Sequence, residues 1–192
     1  PPNRGRWSYA CSKLMDEFLA LAHWKETRLP VVVARLFNTV GPGQRGQYGM
    51  VLPRVVEAAL QGEDLVVHGD GSQTRCFCHV DDVVRALKAL MEAPSCAGEV
   101  FNVGGTDEIT IRDLAERTLQ RCRSRSTIRM VEYGEVFGAG FEDVRRGIPC
   151  IDKIKKAVGW EPGIGLDRII DDIAAEMLKS SAAVPRKRSG EQ

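Results

Sequence analysis

Three features of the 192-residue chain predict an α/β fold. Short β-branched runs alternate with stretches of helical periodicity, glycine- and proline-bearing turns separate them, and the run Val31-Val32-Val33-Ala34-Arg35-Leu36-Phe37 is apolar at nearly every position. A run of that kind suits a parallel strand covered on both faces. With 43% hydrophobic residues, the chain can bury one sizeable core.

The elements follow in order. Leu14, Phe18 and Leu21 recur at helical spacing between Ser8 and Trp24, and Leu29-Pro30 ends that helix. The strand at 31–37 leads into a glycine-rich loop from Asn38 to Gly49, and Val51 to Leu60 resumes helical spacing. Leu65 to His68 predicts a strand, Gly69-Asp70-Gly71-Ser72 a turn, and Arg75 to Val80 a second strand. Asp81-Asp82 is expected to cap a helix that runs to Met91. Val100 to Val103 predicts a strand stopped by Gly104-Gly105, and Thr110 with Asp113 three residues on marks a helix start extending to about Arg121. A strand at Thr127–Val131 and helices at Asp152–Val158 and Leu166–Lys179 complete the pattern. Residues 180–192, small, polar and basic, read as a disordered tail after a single unit at 1–179.

Charge and composition narrow the function. Lys and Arg total 27 against 26 Asp and Glu, a formal charge of +1, which supplies no basic field for a nucleic acid backbone. The six cysteines form no paired framework, and neither a signal segment nor a long apolar span is present, so a reducing, cytoplasmic setting without a membrane partner is expected. The chain opens at Pro1-Pro2-Asn3 without an initiator methionine and reads as a piece of something longer.

The sharpest local feature is Ser8-Tyr9-Ala10-Cys11-Ser12-Lys13. A tyrosine and a lysine four apart on a helix share one face, and an ammonium beside a phenol favours the phenolate. Tyr9 can then exchange a proton with a substrate hydroxyl, while Lys13 can donate to the ribose of a nicotinamide cofactor. A surface tyrosine beside a solvated lysine is the plainer reading of that spacing alone. Two decoys are set aside. Gly41-Pro42-Gly43-Gln44-Arg45-Gly46 fits a glycine-rich dinucleotide fingerprint, but Pro42 occupies the tight turn and no helix opens from the third glycine. Cys76-Phe77-Cys78-His79 has no second ligand pair, so no metal is expected there.

Arg35-Leu36-Phe37-Asn38-Thr39-Val40-Gly41-Pro42, Tyr48-Gly49-Met50-Val51-Leu52-Pro53, Gly69-Asp70-Gly71-Ser72-Gln73-Thr74-Arg75 and Phe101-Asn102-Val103-Gly104 follow the Tyr9–Lys13 pair. Together they resemble the NAD-dependent epimerase/dehydratase family of extended short-chain dehydrogenases, in particular its UDP-glucose 4-epimerases and UDP-glucuronate decarboxylases. The resemblance runs from about Trp7 to Ile173. It implies the C-terminal part of a Rossmann-like parallel sheet plus a smaller α/β substrate-binding region, with the amino-terminal dinucleotide-binding half absent. It further implies NAD as cofactor, a UDP-sugar as substrate, and a homodimer through the helix that carries Leu14, Phe18 and Leu21.

By the same resemblance, Tyr9 is the catalytic acid/base and Lys13 its partner and ribose ligand, and Leu36 and Phe37 lie against the nicotinamide. Asn38, Val51 (through its backbone), Arg75 and Arg145 face the substrate diphosphate, while Val66 and His68 border the uracil and ribose. Cys150 stands where relatives usually place an aspartate. The activity implied is 4-epimerisation of a UDP-sugar through a 4-keto intermediate, with UDP-glucuronate decarboxylation, 4,6-dehydration or a non-catalytic binding module as alternatives. The 192-residue piece alone is expected to turn nothing over.

Overall fold

The computed structural model describes residues 6–44, 50–137 and 144–183. Eight short strands and seven α-helices are seen among them: α1 (Arg6–Thr27), β1 (Val33–Leu36), β2 (Thr39–Val40), α2 (Val51–Gln61), β3 (Leu65–His68), β4 (Thr74–Arg75), β5 (Cys78–His79), α3 (Val80–Glu92), β6 (Val100–Val103), β7 (Ile109–Thr110), α4 (Ile111–Cys122), β8 (Ile128–Val131), α5 (Tyr133–Phe137), α6 (Asp152–Val158) and α7 (Leu166–Ala183). The strands pair in twos. β1 runs parallel to β6, β2 to β5 and β3 to β8, while β4 and β7 are antiparallel. The expected α/β fold is present.

The apolar spacing of the sequence builds two neighbouring cores. Leu52 and Val56 of α2, Leu114 of α4, and Ile169 and Ile170 of α7 close over Leu65 and Val67 of β3. Val83, Ala86 and Leu90 of α3 pack with Phe101 and Val103 of β6, Ile154 of α6 and Trp160. Burying each such large side chain contributes about 1.5–3 kcal/mol relative to leaving it exposed.

Several boundaries depart from expectation. The strand foreseen at Arg75–Val80 is two separate bridges, because β4 finds its partner in β7 and β5 in β2. Cys76 and Cys78 are both buried, the latter thiol pushed up to about 12 by burial above all. The α3 cap is not Asp81-Asp82 but His79, whose Nδ1 accepts from the Asp81 N–H at 3.1 Å. Asp82 is instead buried in the first turn. Thr110 caps α4 as expected, its hydroxyl accepting from the Asp113 N–H at 3.0 Å. Residues 180–183, foreseen in the tail, are the last turn of α7; residues 184–192, with Arg186-Lys187-Arg188, lie outside the described residues.

Helix α1 is held from one side. The Glu17 carboxylate accepts from Arg35 Nε and Nη2 at 2.7 and 2.6 Å, tying α1 to β1. The Trp24 indole lies where any Cβ on Gly98 would stand, 2.1 Å from Nε1. Leu14, Met15, Phe18 and Leu19 remain exposed.

Candidate functional site

A cavity of about 930 Å³ opens beside α2 and β3. Its wall runs along α2 from Val51 to Gln61, through Glu63 and Asp64 to Val66 and His68 of β3, and takes in Asn38 after β1, Arg75 of β4, and Tyr133 and Val136 of α5. Asn38, Val51, Val66, His68 and Arg75 all line it. Alternation along β3 explains two of them, since Leu65 and Val67 are wholly buried in the core while Val66 and His68 turn the other way.

Asn38 has φ of +26°, a conformation that asparagine tolerates better than most residues. Its Nδ2 donates to the Cys76 carbonyl at 2.8 Å, and its own carbonyl accepts from the Cys78 N–H at 3.2 Å. One amide donor is therefore committed to joining β1 and β5, and a ligand would be met by the other amide valences. Val51 opens α2 after Met50, an extended residue with no cap to offer, so the helix presents backbone N–H groups at the cavity.

Arg75 is gripped by backbone: Nη1 donates to the Thr74 carbonyl at 2.8 Å and the Val144 carbonyl at 2.6 Å. The segment carrying Val144 is in turn fastened to β4. The Thr74 N–H donates to the Arg145 carbonyl at 2.9 Å, and Glu108 accepts from the Thr74 hydroxyl at 2.6 Å and from Arg146 at 3.0 and 3.1 Å. Arg146, then Thr74, hold the Glu108 carboxyl below its ordinary range. Arg145 itself is exposed and is not among the lining residues, so the cavity gathers five of the six expected substrate residues.

Tyr9, Lys13, Leu36 and Phe37 do not line it either. Tyr9 is 70% exposed on α1, with Lys13 Nζ 5.9 Å from its ring centroid. Lys13 also donates to Asp16 at 2.7 Å, and that hydrogen bond and charge push its ammonium above its ordinary value. Leu36 is exposed at the end of β1, and Phe37 packs so closely on Gly104 that a Cβ there would come within 2.7 Å of Phe37 Cβ. The Glu17–Arg35 clasp sets the helix bearing the Tyr9–Lys13 pair beside the strand that leads to Asn38. Of the quoted motifs, Tyr48 and Gly49 lie outside the described residues, as do Arg45 and Gly46 of the glycine-rich loop.

Sequence reasoning missed Tyr133. It lines the cavity from α5, its ring centroid 6.3 Å from that of His68 with the planes at 64°. No periodicity marks this short helix. The available signal was an aromatic residue directly after a predicted strand.

Parallel strand pairs set among helices, with a cavity bounded by α2, β3, β4 and α5, define an open α/β fold. The chain belongs to the NAD dependent epimerase/dehydratase family, whose model matches residues 1–104. It is 41% identical over 166 residues to a UDP-N-acetyl-alpha-D-glucosaminuronate decarboxylase of Bacillus cytotoxicus, covering 83% of this chain and 51% of the relative. It is 33% identical over 182 residues to UDP-glucuronic acid decarboxylase 6 of Arabidopsis thaliana, covering 95% and 50%. Among solved structures it resembles a UDP-glucose 4-epimerase with UDP-glucose from Thermotoga maritima, at TM-score 0.79 and 29% identity, over 90% of this chain and 54% of that one. The chain thus spans about half the length of the curated relatives it matches. Among the described residues, no helix is long and apolar enough to cross a membrane.

Proposed function

We propose that this chain is the substrate-gripping part of an NAD-dependent enzyme that oxidises the 4-hydroxyl of a UDP-sugar. The observation that carries the reading is the gathering of Asn38, Val51, Val66, His68 and Arg75 around one cavity. Arg75 offers a planar, permanently charged donor fork for a diphosphate, and the start of α2 favours an anion at the same wall. Arg145, whose carbonyl accepts from the Thr74 N–H of β4, is the second cation assigned to the diphosphate.

Tyr9 takes the proton of the sugar 4-hydroxyl on its phenolic oxygen, and Lys13 steadies the phenolate. The exposure of both side chains, with the ammonium beside the ring, fits the approach of NAD to this face, where Lys13 would bond its ribose and Leu36 and Phe37 would border its nicotinamide. NAD, when bound, supplies the acceptor and donor of hydride. A non-catalytic binding module needs neither Tyr9 nor Lys13.

Two outcomes follow from a 4-keto sugar. The decarboxylase names of the relatives favour a uronate substrate: the bond between C5 and C6 breaks, carbon dioxide leaves, and the electron pair stays on the sugar as an enolate that takes a proton at C5. The likeness to an epimerase solved with UDP-glucose favours the second outcome, 4-epimerisation. A homodimer through Leu14 and Phe18, both exposed, with Leu21 half-buried beside them, belongs to the same proposal.

The test is turnover, by the full-length protein to which this chain belongs, of UDP-glucuronate, UDP-N-acetylglucosaminuronate and UDP-glucose with NAD. Carbon dioxide release marks the first outcome and a 4-epimer the second. Tyr9→Phe is expected to lower turnover by about 10²–10⁴-fold. Turnover equal to wild type in that variant removes Tyr9 from the mechanism.

A further inference from the structure

We propose that Glu108 is a positioning residue for anion binding: its carboxylate clasps the segment that carries Arg145 onto the strand that carries Arg75, and so sets both guanidinium groups for one diphosphate. The proposal rests on the reading of Arg75 and Arg145 as the groups that meet a diphosphate, and adds the residue through which they are placed.

Glu108 stands on fixed backbone. It directly precedes β7, whose Ile109 pairs with Arg75 of β4 in the antiparallel register. The pairing continues past β7, where the Ile111 N–H donates to the Gln73 carbonyl at 3.0 Å and the Arg112 N–H to the Gly71 carbonyl at 3.1 Å. Residues 144–146 have no such frame, since they belong to neither helix nor strand. Val144 and Arg145 reach β4 through their carbonyls, which accept from Arg75 Nη1 at 2.6 Å and from the Thr74 N–H at 2.9 Å. Arg146 reaches Glu108 through its side chain.

The carboxylate serves both partners at once. Oε1 accepts from the Thr74 hydroxyl at 2.6 Å and from Arg146 Nε at 3.0 Å, and Oε2 accepts from Arg146 Nη2 at 3.1 Å. Two N–H donors of one guanidinium on one carboxylate fix direction as well as distance. The main chain is therefore held at Arg145 by its own carbonyl and one residue further on by Glu108, which sets the point from which the Arg145 side chain leaves. Arg75 lies on the other side of the same clasp. Magnitudes decide where its loss should show. The Arg146 side chain is 72% exposed, and an exposed ion pair contributes little to overall stability. An anion that meets two preset cations, by contrast, loses affinity when their placement must be ordered on binding.

The experiment is calorimetric titration with UDP of the full-length protein to which this chain belongs. Wild type, Glu108→Gln, Arg146→Met and the double variant are compared, wild type and Glu108→Gln also with Arg145→Met added, and folding of each is verified by circular dichroism. Glu108→Gln and Arg146→Met are each expected to weaken UDP about tenfold, and the double variant no further, because both remove the same contact. Arg146→Met reads the clasp from its other end should Glu108→Gln fail to fold. Arg145→Met is expected to cost less affinity in the Glu108→Gln background than in wild type, a coupling that a purely structural role would not produce. UDP binding to Glu108→Gln as tight as to wild type, or an Arg145→Met loss of equal size in both backgrounds, overturns the proposal while leaving the cavity a nucleotide site. Failure of wild type to bind UDP at all overturns the reading of the cavity, and the proposal with it.

Discussion

Asp82 stands almost wholly buried at the start of α3, and every lone pair it uses there is aimed at a named donor. One carboxylate oxygen accepts from the Gly163 and Ile164 N–H groups at 2.9 and 2.8 Å, and the other from Arg85 at 2.5 Å. Its backbone carbonyl accepts from the buried Trp160 indole at 2.9 Å. Burial works to raise the Asp82 pKa, but Arg85 and the two N–H groups outweigh it and hold the carboxyl below its ordinary value. Asp82→Ala strands those donors and is expected to lower stability by about 2–4 kcal/mol near neutral pH, read by urea unfolding. A carboxyl whose folded pKa is depressed contributes fully above its unfolded pKa and loses that contribution as pH falls through the folded one. The gap between wild type and Asp82→Ala should therefore narrow below about pH 4. A gap that stays constant down to pH 2 would show that the ionised carboxylate is not what joins α3 to residues 160–164.

At the scale of elements, α1 differs from α2, α4 and α7. Those three wrap the larger core, whereas α1 is joined to the rest through the Glu17–Arg35 clasp and the Trp24–Gly98 contact and leaves Phe18 64% exposed. Amides in α1 are expected to exchange hydrogen faster than those in α2, α4 and α7, and mass-resolved exchange will show it unless a partner covers the exposed face. Equal protection in α1 and α4 for the isolated chain would contradict this ranking. Helices were legible in the sequence because apolar periodicity and capping act locally: Thr110 caps α4 as its spacing predicts, and α6 runs over the foreseen Asp152–Val158. The break at Cys76–Phe77 was not legible. It arises from long-range partners, β7 on one side and β2 on the other, that no local pattern encodes. The α3 cap was misjudged because a histidine nitrogen does the work that Asp81 or Asp82 was expected to do.

For the molecule as a whole, one cavity is assembled from four stretches of chain around β1, α2, β3 and β4, to which Ile111 of α4 and then α5 add two more. Three of the first four were legible because each carries or adjoins a quoted motif block, from which Asn38, Val51 and Arg75 were assigned, while Val66 and His68 were assigned by the resemblance without a block of their own. Tyr133 was not legible, since its position depends on the β3–β8 register and on the missing Cβ of Gly69. The placement of Tyr9 and Lys13 outside the cavity divides the proposed labour, diphosphate and nucleoside on one wall and proton transfer on α1. The claim on which the rest depends is that Arg75 grips a diphosphate. Calorimetric titration of UDP against wild type and Arg75→Met measures it directly. The expected result is a loss of about 10–100-fold in affinity, the worth of a charge-assisted contact, with the fold intact; equal affinity in the two proteins would contradict the account.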